Sequence, residues 1–147
     1  MVFRAALRIL GCAADAEDVT QDVFLEVFSH TSLDDVENLP AFLRRLTVYR
    51  ALDQRRKHRG TVAMEQDRFP SAELSPHDEA VRRELAERLR DLVASLPERE
   101  GAVFSLRYFE GLSNPQIAEA LQISSGAVAA ALHKVRRKLD AAVAEKA

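Results

Sequence analysis

Apolar residues recur at intervals of three and four along most of this chain, and the breaks in that rhythm divide it into helices. Val2, Ala6, Ile9 and Leu10 predict a helix over 2–10, ended by Gly11. Val19, Val23 and Val27, with Phe24 and Phe28 beside them, predict a second helix over 14–28. The rhythm is lost in "SHTSLDDVENLP", which reads as a loop. Pro40 then sits at a helix start, where its missing N–H costs nothing. The third helix, over about 40–58, turns Phe42, Leu43, Leu46 and Ala51 inward. From Gly60 to Glu79 the periodicity fails again, and Pro70 and Pro76 are flanked by serines, the mark of a linker.

The second half resumes with "DEAVRRELAERLRDLVASL", which places Val81, Leu85, Leu89, Leu92 and Val93 on one side. "LPERE" restarts a helix with Val103, Phe104, Leu106 and Tyr108 inward, until Gly111. Ser113 and Gln116 have the spacing of a capping box. A short helix over 114–121 presents Ile117, Ala118 and Leu121, and the last helix buries Val128, Leu132, Val135 and Leu139. A small residue at Ala118, an apolar one in the turn at Ile123 and anchors at Val128 and Leu132 form a helix-turn-helix pattern, whose second helix lies in a DNA major groove. An ordinary helical hairpin is the other reading. Gln122 stands where such turns favour glycine; a positive φ there costs about 1 kcal/mol. The fold class is therefore all-α: two small helical domains, 1–59 and 78–147, joined by a flexible linker over 60–77. Domains of about 60 residues are marginal alone, so a partner helps to stabilise each.

Composition fits this reading: 47% of the 147 residues are hydrophobic and 30% are charged. The net charge of −2 hides a strong segregation. Residues 1–40 carry Asp15, Glu17, Asp18, Asp22, Glu26, Asp34, Asp35 and Glu37 against Arg4 and Arg8. Residues 41–60 carry Arg44, Arg45, Arg50, Arg55, Arg56, Lys57 and Arg59 against Asp53. Local fields therefore matter more than net charge. The lone Cys12 forms no internal disulfide, as expected in a reducing cytoplasm. No stretch approaches the ~20 apolar residues of a membrane span. Arg8 interrupts "MVFRAALRILGCAA" and an acidic helix follows, so the start reads as a cytosolic helix rather than a signal peptide. His30, His58, His77 and His133 are scattered, no Gly-rich phosphate loop occurs, and the acids lie on solvated faces. No catalytic residue, metal site or cofactor is expected.

In this order the segments resemble the extracytoplasmic-function group of bacterial RNA polymerase sigma factors. "DAEDVTQDVFLEVF" (15–28) looks like the family's core-polymerase-binding helix, "AFLRRLTVYRALDQRRK" (41–57) like the helix that meets the −10 promoter element, and 96–139 like the region-4 domain that meets the −35 element. The resemblance implies that Asp18, Gln21, Asp22, Phe24 and Glu26 face the clamp coiled coil of the β′ subunit. It implies β-flap contact, promoter DNA and an anti-sigma factor as further partners. Arg44, Arg45, Tyr49, Arg50, Arg55, Arg56 and Lys57 would meet the −10 element, the cations by neutralising phosphates. The Tyr49 ring is either a stacking platform for an unpaired base or a partly buried structural residue. The loop 29–39 corresponds to the family's pocket for a flipped base. Ser124, Ser125, Ala127, Ala130, His133, Lys134, Arg136 and Arg137 would meet the −35 element.

The family's recognition helix carries threonine, lysine, serine and arginine where this chain has Ala127, Ala129, Ala130 and Ala131. Alanine makes no bidentate bond to a base and touches at most a thymine methyl. Weak, shape-dominated −35 binding follows, strengthened by restoring lysine and arginine at Ala129 and Ala131. The family's usual helix before "VFRAALRIL" is missing or very short here. A second reading is a sigma-like decoy that binds polymerase or an anti-sigma factor and reads DNA poorly.

Overall fold

A computed structural model describes residues 1–30, 33–58 and 75–146, and the expected linker lies outside the described residues up to position 74. Three helices form the first half. Helix α1 (Val2–Leu10) buries Val2, Ala5, Ala6, Ile9 and Leu10, and Gly11 ends it at φ 73° with its N–H on the Leu7 carbonyl. Helix α2 (Ala13–His30) buries Ala16, Val19, Val23 and Val27. Helix α3 (Leu39–Lys57) starts at Asn38, whose side chain accepts from the Ala41 N–H, with Pro40 in the first turn. Its buried stripe is Ala41, Thr47, Val48, Ala51 and Leu52. Phe42, Leu43 and Leu46 are only half-buried beside it, so Val48 and Leu52 carry more of the packing than the sequence pattern had suggested.

Helix α4 (Pro76–Ser95) is capped by Ser75 and begins before the expected boundary at 78. Its apolar side is buried only in its C-terminal part: Val93 is covered, while Val81 and Leu85 are 43% and 59% exposed. The stripe was legible, but α4 reaches past the body it packs on. Helix α5 (Glu98–Phe104) runs into a π-helical turn, Ser105–Phe109, which widens the spiral by one residue. That shift turns Tyr108 outward, 50% exposed against the expected inward position, with its ring on Phe104 at 4.5 Å. Gly111 at φ 69° leads to α6 (Asn114–Leu121), whose capping box is complete: Ser113 Oγ accepts from the Gln116 N–H, and Gln116 Oε1 accepts from the Ser113 N–H. Gln122 sits at φ 57°, the left-handed geometry in which such turns favour glycine, before α7 (Ser125–Lys146). The helix-turn-helix is formed by α6 and α7.

The two halves share one core. Helix α3 packs on α1 and α2, and also on α4, α5 and α6. A single cluster runs from Ile9, Val23 and Leu52 through Val93 and Val103 to Ile117, Val128 and Val135. Gly101 makes the junction close: a Cβ there would lie 3.0 Å from the Val93 carbonyl and 3.3 Å from Leu52 Cδ1. Leu52 is 2% exposed at this junction, and burying a leucine side chain contributes about 2 kcal/mol.

Candidate functional site

The first candidate surface is the outer side of α2. Burial of Val19, Val23 and Val27 forces the intervening positions outward, so Asp18, Gln21 and Asp22 are exposed together. Phe24 lies among them at 39% exposure and stacks on Phe28, ring centroids 6.4 Å apart. Leu25 and Phe28, which the sequence reading did not assign to a site, are more exposed still, at 64% and 74%. An acidic face with protruding apolar groups is suited to a basic, partly apolar helical partner. Glu26 is half-buried and accepts from Arg50 Nη2 at 2.7 Å and Nε at 3.1 Å. That hydrogen bond raises the Arg50 guanidinium above its already high ordinary pKa, against the opposing effect of burial. Asp22, Leu25, Glu26, Ser29 and Arg50 line an open groove. One ion pair thus joins the expected polymerase face to the expected DNA face.

The second surface is α3, and here the expected strip divides. Arg50 and Lys57 are exposed, Lys57 pairing with Asp53 at 3.0 Å. Arg44 is half-buried. Arg45, Arg55 and Arg56 point into the junction with the second half: Arg45 Nη1 donates to Gln122 Oε1 at 2.6 Å, and Arg56 Nε donates to the Ala94 carbonyl at 2.9 Å. Arg55, with a side chain only 14% exposed, pairs with Glu87 at 2.7 Å and Asp91 at 3.0 Å. Tyr49 is half-buried against the core; burial, then the nearby Glu98 charge, raises its phenol above the ordinary value of 10.0. Of the two roles open to it, the partly buried one describes this conformation.

The third surface is the front of α7. Ser124 and Ser125 are exposed at its start, and Ser124 Oγ accepts from the Ala127 N–H at 3.0 Å. Ala127 is half-buried, whereas Ala129 and Ala130 are exposed. Ala131 is 5% exposed and belongs to the core, which corrects its assignment to the groove-facing side. His133, Lys134, Arg136 and Arg137 are exposed, with Arg136 Nη2 3.2 Å from Tyr108 Oη. Start and rear thus form one outward strip with an alanine middle. Residues 31–32 of the loop expected to hold the flipped base lie outside the described residues.

The carboxylates that meet Arg55 were missed in the sequence. Glu87 and Asp91 are four residues apart on one face of α4, an acidic pair whose partner only the tertiary structure supplies. Among the described residues no group of His, Cys, Asp and Glu is arranged to hold a metal ion. No described helix is long and apolar enough to cross a membrane.

Residues 1–61 match the family model "Sigma-70 region 2" and residues 86–139 match "Sigma-70, region 4". The ECF RNA polymerase sigma factor SigL of Mycobacterium tuberculosis is 35% identical over 145 residues, covering 95% of this chain and 80% of SigL. The ECF RNA polymerase sigma factor SigE of Mycolicibacterium smegmatis is 32% identical over 143 residues, covering 94% of this chain, and the chain spans 55% of the length of SigE. The solved structure of CnrH, in complex with the cytosolic domain of CnrY, shares the fold at a TM-score of 0.61 and 22% identity, covering 99% of this chain and 82% of CnrH.

Proposed function

The chain belongs to the sigma-70 family, in its extracytoplasmic-function group, and from that premise we propose that it docks on core RNA polymerase and carries it to promoters, acting in the cytoplasm. The observation that carries this reading is the order of the two matches, region 2 over 1–61 and region 4 over 86–139. Each half then has its own target. Asp18, Gln21, Asp22, Phe24 and Glu26 meet the β′ clamp coiled coil, an assignment supported by the exposed acids and aromatic on one side of α2. Leu25 and Phe28 extend that face with apolar contact area. The second half meets the β flap.

Promoter contact is divided the same way. Arg44, Arg50 and Lys57 meet the −10 element from the outer side of α3, whereas Arg45, Tyr49, Arg55 and Arg56 meet it only once their contacts with the second half and the core are given up, the cations then binding phosphates and the ring stacking on an unpaired base. Ser124 and Ser125, exposed at the start of α7, hold one phosphate of the −35 element. His133, Lys134, Arg136 and Arg137 hold others. Ala127 and Ala130 read little beyond a thymine methyl, so promoter choice rests mainly on the first half. CnrH is solved with a partner's cytosolic domain; an anti-sigma factor is the corresponding partner for this chain. The family is one of transcription regulators rather than catalysts, and no reaction is assigned.

Run-off transcription with core polymerase and a promoter library tests the proposal. Promoter-dependent transcripts are expected, together with capture of the polymerase at low ionic strength. Capture without transcript would restore the decoy reading, which the relatives do not favour. No capture at all would overturn the proposal.

A further inference from the structure

The π-helical turn after α5 moves an aromatic side chain from the core to the surface. The Glu110 N–H donates to the Ser105 carbonyl at 3.2 Å, five residues back, where a regular α-helix bonds four back. In an uninterrupted helix Tyr108 would follow Phe104 by four residues and share its buried face. The wider turn rotates it outward to 50% exposure, while Phe104 stays at 5%. The tyrosine is not loose there. Its ring lies on Phe104 at 4.5 Å, and its Oη accepts from Arg136 Nη2 at 3.2 Å. Arg136 belongs to an outward row on α7. Ala129, Ala130, His133, Arg136 and Arg137 recur at intervals of three and four, and all are exposed. The alanine front and the cationic rear of this helix are therefore one face, and Tyr108 stands at its rear end.

We propose that Tyr108 and Arg136 form a two-donor site for one phosphodiester of duplex DNA, the phenol both positioning the guanidinium and donating its own O–H to the phosphate. This rests on the promoter-binding reading above and adds a residue which that reading leaves unassigned. A phenol oxygen accepts through a lone pair and still has one O–H to give. Having accepted from Arg136, Tyr108 can donate to the same phosphate as the remaining guanidinium N–H groups, because the two donors stand 3.2 Å apart. Hydrogen bonds to an ionised acceptor are the strong ones. The phenol is neutral, so it fixes the guanidinium without cancelling its charge. Lys138 shows the contrast: its ammonium pairs with Glu100 at 2.6 Å, so its charge is already answered within the chain. An arginine held in advance also loses less side-chain freedom on meeting a phosphate. The front of the face offers Ala129 and Ala130, which make no side-chain hydrogen bond to a base. A phosphate held at the rear supplies the register that the front cannot. A protein is the other class of occupant for an exposed tyrosine, and the row of cations beside this one favours the polyanion.

The full chain and a labelled mixed-sequence duplex test this by fluorescence anisotropy over a series of salt concentrations, starting from low salt. Tyr108→Phe keeps the ring on Phe104 and removes only the hydroxyl. Arg136→Met removes the guanidinium and keeps an unbranched side chain. Tyr108→Phe is expected to weaken duplex binding roughly threefold to tenfold, the range of one net hydrogen bond. The slope of log affinity against log salt should stay unchanged, because no charge is lost. Arg136→Met should make that slope shallower by about 0.9, the value of one phosphate contact. In the Arg136→Met background, Tyr108→Phe should weaken binding by about twofold or less, since two groups that act on one phosphate are coupled. The thermal unfolding midpoint of Tyr108→Phe should stay close to that of the wild type, which separates positioning on DNA from support of the fold.

An equal loss from Tyr108→Phe with and without the Arg136 guanidinium would overturn the proposal. So would a binding loss accompanied by a large fall in the thermal midpoint, which would make the role structural. Loss of core polymerase capture by Tyr108→Phe with duplex binding intact would assign the tyrosine to a protein face and overturn it too. A wild-type chain that drives promoter-dependent transcription yet binds no duplex, or binds it indifferently to Tyr108→Phe, loses only this inference. A chain that neither binds duplex nor supports transcription loses the promoter reading as well.

Discussion

Gly11 and Gly111 close helices in nearly the same left-handed conformation, at φ 73° and 69°, yet they stand in different surroundings. A Cβ at Gly111 would meet nothing within 4 Å, whereas one at Gly11 would lie 2.7 Å from both Arg90 Nη1 and Glu87 Oε1. Gly111→Ala should therefore cost only the backbone term, about 1 kcal/mol. Gly11→Ala should cost about 1 kcal/mol more, because the tips of two paired side chains must move aside. Urea unfolding of both variants checks the difference, and equal losses would contradict it. Tyr49 gives a second test at this scale. Burial, reinforced by Glu98, raises its phenol pKa in the folded chain. Its contribution to stability is complete below the unfolded-state value and lost as pH rises through the folded-state value. Ultraviolet titration of the Tyr108→Phe variant should show Tyr49 ionising above the ordinary tyrosine value of 10.0. The stability gap between that variant and one that also carries Tyr49→Phe should shift against the tyrosine as pH rises through this range. The glycines were legible in the sequence as stops at the ends of periodic runs. The Glu98 charge beside Tyr49 was not, because it comes from another helix.

At the scale of elements, α7 has two alanine populations. Ala129 and Ala130 face solvent, while Ala131 lies with Val128, Leu132 and Val135 in the core. A helix turns 3.6 residues per turn, so an apolar stripe at 128, 132 and 135 carries its neighbour 131 inward. Alanine itself marks neither face, which is why the sequence placed Ala131 wrongly while placing Val128 correctly. Ala130→Arg should leave stability within about 0.5 kcal/mol and tighten duplex binding at low salt. Ala131→Arg should destabilise the fold by about 3 kcal/mol or more, since a cation would enter the core unpaired. Thermal unfolding and duplex anisotropy at one salt concentration separate the two. The same element logic explains α4. Its stripe is continuous in sequence, but Val81 and Leu85 project beyond the body that covers Val93.

For the whole molecule, the shared core predicts cooperativity. The chain has no tryptophan and two tyrosines, Tyr49 in the first half and Tyr108 in the second. Tyr49→Phe and Tyr108→Phe variants thus each leave one reporter, one per half. Because one buried cluster joins Leu52 to Val93 and Val103, the two fluorescence transitions in urea should share a midpoint after correction for each substitution. Separated midpoints would show that the halves unfold independently. Two modules joined by a tether describes the order of the sequence, and the seam between α3 and α4 decides how they behave.

The periodic stripes, the glycine stops, the Ser113–Gln116 box and the strained Gln122 turn were all determined by the sequence itself, since each depends on residues within a turn or two of one another. So was the acidic outer side of α2, because the buried valines dictate which positions face out. The partners of Arg45, Arg55 and Arg56 were decided by tertiary structure alone. A guanidinium on a basic helix suits a phosphate and a carboxylate equally well by charge. Which of them it meets depends on where α4 comes to rest, and that is set by close packing around Gly101 between residues far apart in the chain.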